Sequence, residues 1–142
     1  MPKNRVDLLC SVAELADLFA GGRSLDDFLN NIVRTVARHM QASVCSVYLF
    51  EEQTQELVLS ATEGLEQSAV GQVRLQLGEG ITGSAVKELR PICERCGSSN
   101  PNFKFIPSTH EERFEAFLAV PILHGLTRVG ALVVQHVKPG YF

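Results

Sequence analysis

The chain has 142 residues, 45% of them apolar and 20% charged, with a net charge of -3. That is the size of one domain with a self-sufficient core; its dispersed charge gives no footprint for nucleic acid or for an anionic membrane. No apolar run nears the ~20 residues that span a bilayer and no signal-peptide pattern is visible, so the expectation is a cytoplasmic protein with neither nucleic acid nor membrane as a partner.

Val6 to Ala20 sets Leu8, Leu9, Val12, Leu15, Ala16 and Phe19 at three- and four-residue spacings, which predicts a helix with one broad apolar face. Gly21-Gly22 ends it. Ser24 then caps a second helix, with Asp26 and Asp27 in its first turn and Arg34, Arg38 and His39 near its end, as the helix dipole favours. Phe28, Leu29, Ile32, Val33, Val36 and Met40 continue its apolar face, and both helices are expected on one face of a sheet. Ser43 to Glu51 is a β-branched and aromatic run too continuous for an edge, so it predicts a central strand. Gln53 to Gln55 turns the chain into a second strand, Glu56 to Thr62. Gly64 to Gly71 is polar and is expected to cross over before a third strand at Gln72 to Leu77. Gly78, Gly80 and Gly83 break that strand, and Ile81, Ala85 and Val86 open a short helix. Ala116 to His124 and Arg128 to His136 read as two more strands joined at Gly125. Strands following helices in this order predict an α+β domain with a largely antiparallel sheet.

Between Pro91 and Ala116 the periodicity dissolves. Irregular connections longer than about 12 to 15 residues are usually lids or binding loops. Phe103, Phe105, Ile106 and Phe114 lie within this one, so it is expected to pack over one face of the sheet and enclose a pocket.

Few residues here suit catalysis. Gly78-x-Gly80-x-x-Gly83 matches a dinucleotide fingerprint as a string, yet every Asp of the chain falls before the first strand and no parallel βαβ unit is visible. Cys93-x-x-Cys96 has the spacing to share a zinc ion or to cycle as a redox pair, and it also fits two free thiols. A structural zinc site needs two further ligands and no second C-x-x-C exists, so no metal is assigned and the two are weak candidates. With Cys10 and Cys45 they do not form the framework of a small secreted domain. His110 reads as a solvated loop histidine, and His124 and His136 as exposed residues at strand ends. Arg113 suits either an internal ion pair or an acidic ligand. No nucleophile elbow is present, and no paired carboxylates flank a plausible cleft.

Gly78-Glu79-Gly80-Ile81-Thr82-Gly83, Asn100-Pro101, Phe103 to Pro107, Glu111 to Phe114, Phe117 to Ile122 and Gly130 to Gln135 form an ordered set. That set resembles the GAF family of sensing modules, and within it the sensor domains at the front of nitrogen-system phosphoenolpyruvate-protein phosphotransferases. The resemblance covers about residues 6 to 137. It implies the profilin-like GAF fold, with a six-stranded, mostly antiparallel sheet, N-terminal helices on one face and a long lid loop on the other. The chain is then one GAF domain over residues 1 to 142, expected to be part of a longer signalling protein, since the family's C-terminal helix has no counterpart. The implied function is a non-catalytic small-molecule sensor, without cofactor, that controls an attached signalling or phosphotransferase module. Its ligand would be a nitrogen-status metabolite such as glutamine or 2-oxoglutarate, walled by Leu77, Thr82, Ser84, Phe103, Phe105, Arg113 and Phe117. A homodimer through Leu8, Val12, Leu15 and Phe19 is expected if the first helix keeps a bare apolar stripe. Two alternatives stay open. One is a ligand-free dimerisation and transmission domain. The other resembles GAF enzymes that reduce free methionine sulfoxide, although Thr82 stands where those carry a cysteine.

Overall fold

The computed structural model describes residues 24–99 and 114–142. Helix α1, Leu25–Met40, starts where expected, because the Ser24 hydroxyl accepts the Asp27 N–H at 3.1 Å. It ends at Gln41, which adopts the left-handed conformation. Leu29, Val33 and Ala37 are its buried residues, one per turn, whereas Met40 is exposed. The strands that follow are β1 (Val44–Glu51), β2 (Glu56–Glu63) and β3 (Arg74–Gln76). Helix α2 (Gly80–Glu88) then leads into β4 (Ile92–Glu94), and β5 (Ala116–His124) and β6 (Thr127–His136) complete the sheet.

The six strands lie in the order β3-β2-β1-β6-β5-β4, every neighbouring pair antiparallel. The run from Ser43 is central, as its composition requires. Two expectations are corrected. The segment after β2 does not cross over: Leu65 and Ala69 bury and turn the chain back, so that β3 pairs directly with β2. Within the stretch read as irregular, Ile92–Glu94 forms the sixth strand, at the edge beside β5. Three residues on an outer strand carry no alternation long enough to read in sequence.

Gly130 lets the two central strands close up. A Cβ there would collide with the Tyr48 carbonyl of β1, so no larger residue fits this point of the β1–β6 ladder.

Side chains sort by register. Cys45, Val47, Leu49, Ala61, Leu118 and Val134 meet Leu29, Val33 and Ala37 of α1. Val44, Tyr48, Leu57, Leu59, Ala119, Ala131 and Val133 face the other way, where Ile81, Ala85 and Val86 of α2 join Phe114 and Phe117. The pairing of β1 with β2 skips Ser60, a bulge that keeps both strands in phase with their own faces. The expected first helix lies outside the described residues, as does the loop from Asn100 to Arg113.

Candidate functional site

The face toward α2 departs from a plain core. Ser46 of β1 is paired with Thr62 of β2 on one side and with Val133 of β6 on the other. One pleat along, Val44 is paired with Gln135, and Gln135 in turn with Phe117 of β5. Because side chains alternate, Thr62, Ser46 and Gln135 therefore fall on one face of three adjacent central strands. They are 2%, 0% and 1% exposed. A buried hydroxyl left unpaired costs about 1 to 3 kcal/mol; here Ser46 Oγ and Thr62 Oγ1 share a hydrogen bond of 2.8 Å. Two hydroxyls carry two hydrogens and that bond uses one, so the accepting hydroxyl keeps a donor for a further acceptor.

Helix α2 brings a second set of polar groups to this side. Its entry depends on the glycine turn: Gly78 N–H donates to the Gly83 carbonyl at 2.9 Å, and Glu79 Oε1 accepts the Gln76 N–H at 2.8 Å. A Cβ on Gly83 would stand 2.6 Å from the Gln76 carbonyl, so the helix can start this close to β3 only on a glycine. Thr82 and Ser84 are both buried just inside the helix, and the Ser84 hydroxyl donates to the Gly78 carbonyl at 3.2 Å. At the other end Arg128 of β6 donates to the Val86 and Lys87 carbonyls, each at 3.0 Å, and places its cation where the helix dipole is negative. The helix is thus tied to the sheet at both ends.

Of the residues expected to wall a ligand, Leu77, Thr82, Ser84 and Phe117 belong to this side of the sheet. Leu77 is half-buried against the core there and Phe117 is buried in it. Phe103, Phe105 and Arg113 lie outside the described residues, as do Leu8, Val12, Leu15 and Phe19 of the expected dimer helix. Sequence reasoning missed Ser46, Thr62 and Gln135. The available signal was a polar residue in the inward phase of a strand otherwise made of Val, Leu and Ala. Among the described residues the buried polar side chains are Ser46, Thr62, Thr82, Ser84 and Gln135, all uncharged.

The cysteines fall elsewhere. Cys45 is wholly buried beneath α1, and burial, with the Glu63 charge as a smaller cause, pushes its thiol up to about 12. It is an inert core residue. Cys93 is exposed on the edge strand β4, and Cys96 is half-buried just beyond it. Among the described residues no cluster of three or more His, Cys, Asp or Glu has the arrangement to hold a metal ion. None of the described helices is long and apolar enough to cross a membrane. His124 is exposed as expected. His136 is not: it is half-buried and stacks on Tyr141 with ring centroids 3.7 Å apart.

A sequence profile described as a GAF domain matches residues 22–142. The chain belongs to the GAF family. The GAF domain is 38% identical over 116 residues to an Escherichia coli protein described as phosphoenolpyruvate-dependent phosphotransferase system, covering 82% of this chain and 16% of that one. It thus spans about a sixth of that relative's length. Among solved structures it is similar to the GAF domain of a phosphoenolpyruvate-protein phosphotransferase from Coxiella burnetii, with a TM-score of 0.82 and 28% identity over 96% of this chain and 81% of that one. The corresponding domain from Acinetobacter gives a TM-score of 0.79 and 30% identity over 98% and 80%. More distant are the nitrogen fixation protein VnfA of Azotobacter vinelandii, 25% identical over 92% of this chain and 26% of that one, and a free methionine-R-sulfoxide reductase from Neisseria meningitidis. The reductase, at 17% identity and a TM-score of 0.76 over 100% and 81%, shares the fold.

Proposed function

We propose that this GAF domain is a non-catalytic sensor of a small polar metabolite and that it controls a signalling or phosphotransferase module in the same protein. The observation that carries the proposal is the uncharged polar strip of Thr62, Ser46 and Gln135 on the sheet face toward α2. A core selected for stability alone would hold apolar residues at these positions, since burying polar groups gains less than burying methyl groups even when they are hydrogen-bonded. Thr82, Ser84, Leu77 and Phe117 border the same side, and Phe103, Phe105 and Arg113 complete the proposed site. Neutral hydroxyl and amide groups suit a ligand read through carbonyl, amide or amine groups. A carboxylate on that ligand would fall to Arg113. Glutamine and 2-oxoglutarate fit this chemistry, and the names of the relatives, in phosphotransferase and nitrogen-fixation systems, point the same way.

For a sensor to transmit, its ligand must bind two arrangements of the domain unequally. Helix α2 is the proposed transmitting element, because it borders the site and is held at both ends by Gly83 and Arg128. The test is thermal melting of the domain with glutamine, 2-oxoglutarate, phosphoenolpyruvate and unrelated amino acids. A ligand at 100 times its dissociation constant stabilises the native state by about 2.7 kcal/mol. A selective rise in the midpoint that Arg128→Ala leaves intact, while that variant loses control of the attached module, supports the proposal. A panel that leaves the midpoint unmoved counts against it.

A further inference from the structure

The sensor proposal leaves the C-x-x-C pair unused, and the pair sits where chemistry could reach it. Strand β4 is the outer strand of the sheet. Cys93 is exposed on it, in register with Leu118, and its thiol reaches the Phe142 carbonyl at a long 3.8 Å. The chain bends at Arg95, and Cys96 follows half-buried. Its thiol donates to Glu115 Oε1 at 2.9 Å and accepts from the Ser99 hydroxyl at 3.6 Å. Its own N–H is held by Glu94 Oε2 at 3.1 Å, and the next N–H, of Gly97, donates to the Glu115 carbonyl at 2.6 Å. Neither cysteine is joined in a disulfide. The edge thus presents one open thiol and, three residues on across a bend, one thiol restrained by a carboxylate.

We propose that Cys93 and Cys96 form a reversible dithiol–disulfide site whose oxidant is a low-molecular-weight disulfide of the glutathione class, with Cys93 as the attacking thiol and Cys96 as the resolving one. In the first step the Cys93 thiol gives its proton to solvent and its sulfur attacks one sulfur of the small disulfide. The Cys93–sulfur bond forms, the small disulfide bond breaks, and one small thiolate leaves and takes up a proton. In the second step Cys96 gives up its hydrogen bond to Glu115 and its proton to solvent, and attacks Cys93 Sγ. The Cys93–Cys96 bond forms and the second small thiol leaves. The protein loses two electrons and the small disulfide gains them.

Closure removes two contacts. Glu115 stands at the head of β5, where its N–H donates to the His136 carbonyl at 3.0 Å, and it loses its thiol partner. The Phe142 carbonyl loses the Cys93 thiol, while Gly140 N–H still holds the closing segment to the Arg95 carbonyl at 2.9 Å. Redox state is therefore read at the β4–β5 edge. The proposal is independent of any ligand on the face toward α2.

The test incubates the full chain with oxidised glutathione, quenches with acid at timed intervals, alkylates the remaining thiols and maps each cysteine by mass spectrometry. The expected product is a Cys93–Cys96 disulfide preceded by a glutathione adduct on Cys93. Cys96→Ser should stop at that adduct. Glu115→Ala should leave adduct formation unchanged and quicken closure about fivefold, the effect of releasing one ordinary hydrogen bond. An adduct on Cys93 that persists without closing in the unmodified chain would overturn the proposal, as would equal oxidation of Cys96 in Cys93→Ser. Unchanged closure in Glu115→Ala would remove Glu115 from it.

Discussion

The two faces of this sheet use the same strands for different ends. Toward α1, the buried positions of β1, β2 and β6 are Cys45, Val47, Ala61 and Val134, packed on Leu29, Val33 and Ala37. Toward α2, the same strands interrupt their apolar residues with Ser46, Thr62 and Gln135. One face behaves as core throughout, down to a thiol that acts as a small apolar side chain. The other gives up apolar contact to keep hydrogen-bonding groups in a dry place. Local departures from core logic of this kind are expected where a site is built.

The largest expected effect erases the comparison. Gly130→Ala should destabilise the domain by about 3 kcal/mol or more in chemical denaturation, because the new Cβ meets the Tyr48 carbonyl between the two central strands and so disturbs both faces. Next, Val33→Ala, at a residue 1% exposed under α1, should cost about 2 kcal/mol and leave any ligand response intact, since it opens a void only on the core face. A lost response would show that the faces are coupled.

The Cys45 thiol sharpens the contrast through pH. Its value is about 12 in the fold against 9.0 as the ordinary reference, so between these values the unfolded chain holds fewer protons than the native one. Its contribution is fully present below pH 9 and is lost as pH rises toward 12, at about 1.4 kcal/mol per pH unit. Unfolding measured against pH should show this alkaline slope in the unmodified protein and a shallower one in Cys45→Ala. The smallest effects belong to the polar strip. Ser46→Ala and Thr62→Val should each cost about 1 to 2 kcal/mol by stranding the other hydroxyl, whereas the double variant should cost less than their sum. Strict additivity in this cycle would mean that the 2.8 Å hydrogen bond couples nothing.

Much of the frame is legible in the residues. Ser24 before Asp26 and Asp27 marks the start of α1, the continuous run from Val44 marks a central strand, and Gly78 to Gly83 marks the strand-to-helix turn. What escapes reading is tertiary. The three residues of β4 become a strand only because β5 offers its edge, and the segment after β2 turns back because Leu65 and Ala69 find the core. The polar strip escapes for a related reason. Ser46, Thr62 and Gln135 are far apart in the chain, each an ordinary residue in its own strand, and only strand order with its register brings them onto one face. The positions of Thr82 and Ser84 in α2 and of Phe117 at the head of β5 are easier to read, because the glycine turn and the aromatic stretch that opens β5 mark them locally.

The most direct measurement compares the thermal midpoints of the unmodified domain, Gln135→Leu and the Ser46→Ala/Thr62→Val double variant, each with and without whichever metabolite of the panel raises the midpoint of the unmodified domain. If the polar strip is the floor of a ligand site, both variants should fold and melt cooperatively without ligand and lose most of the ligand-induced rise. An undiminished rise in both variants would place the ligand elsewhere and leave Ser46, Thr62 and Gln135 as core residues only.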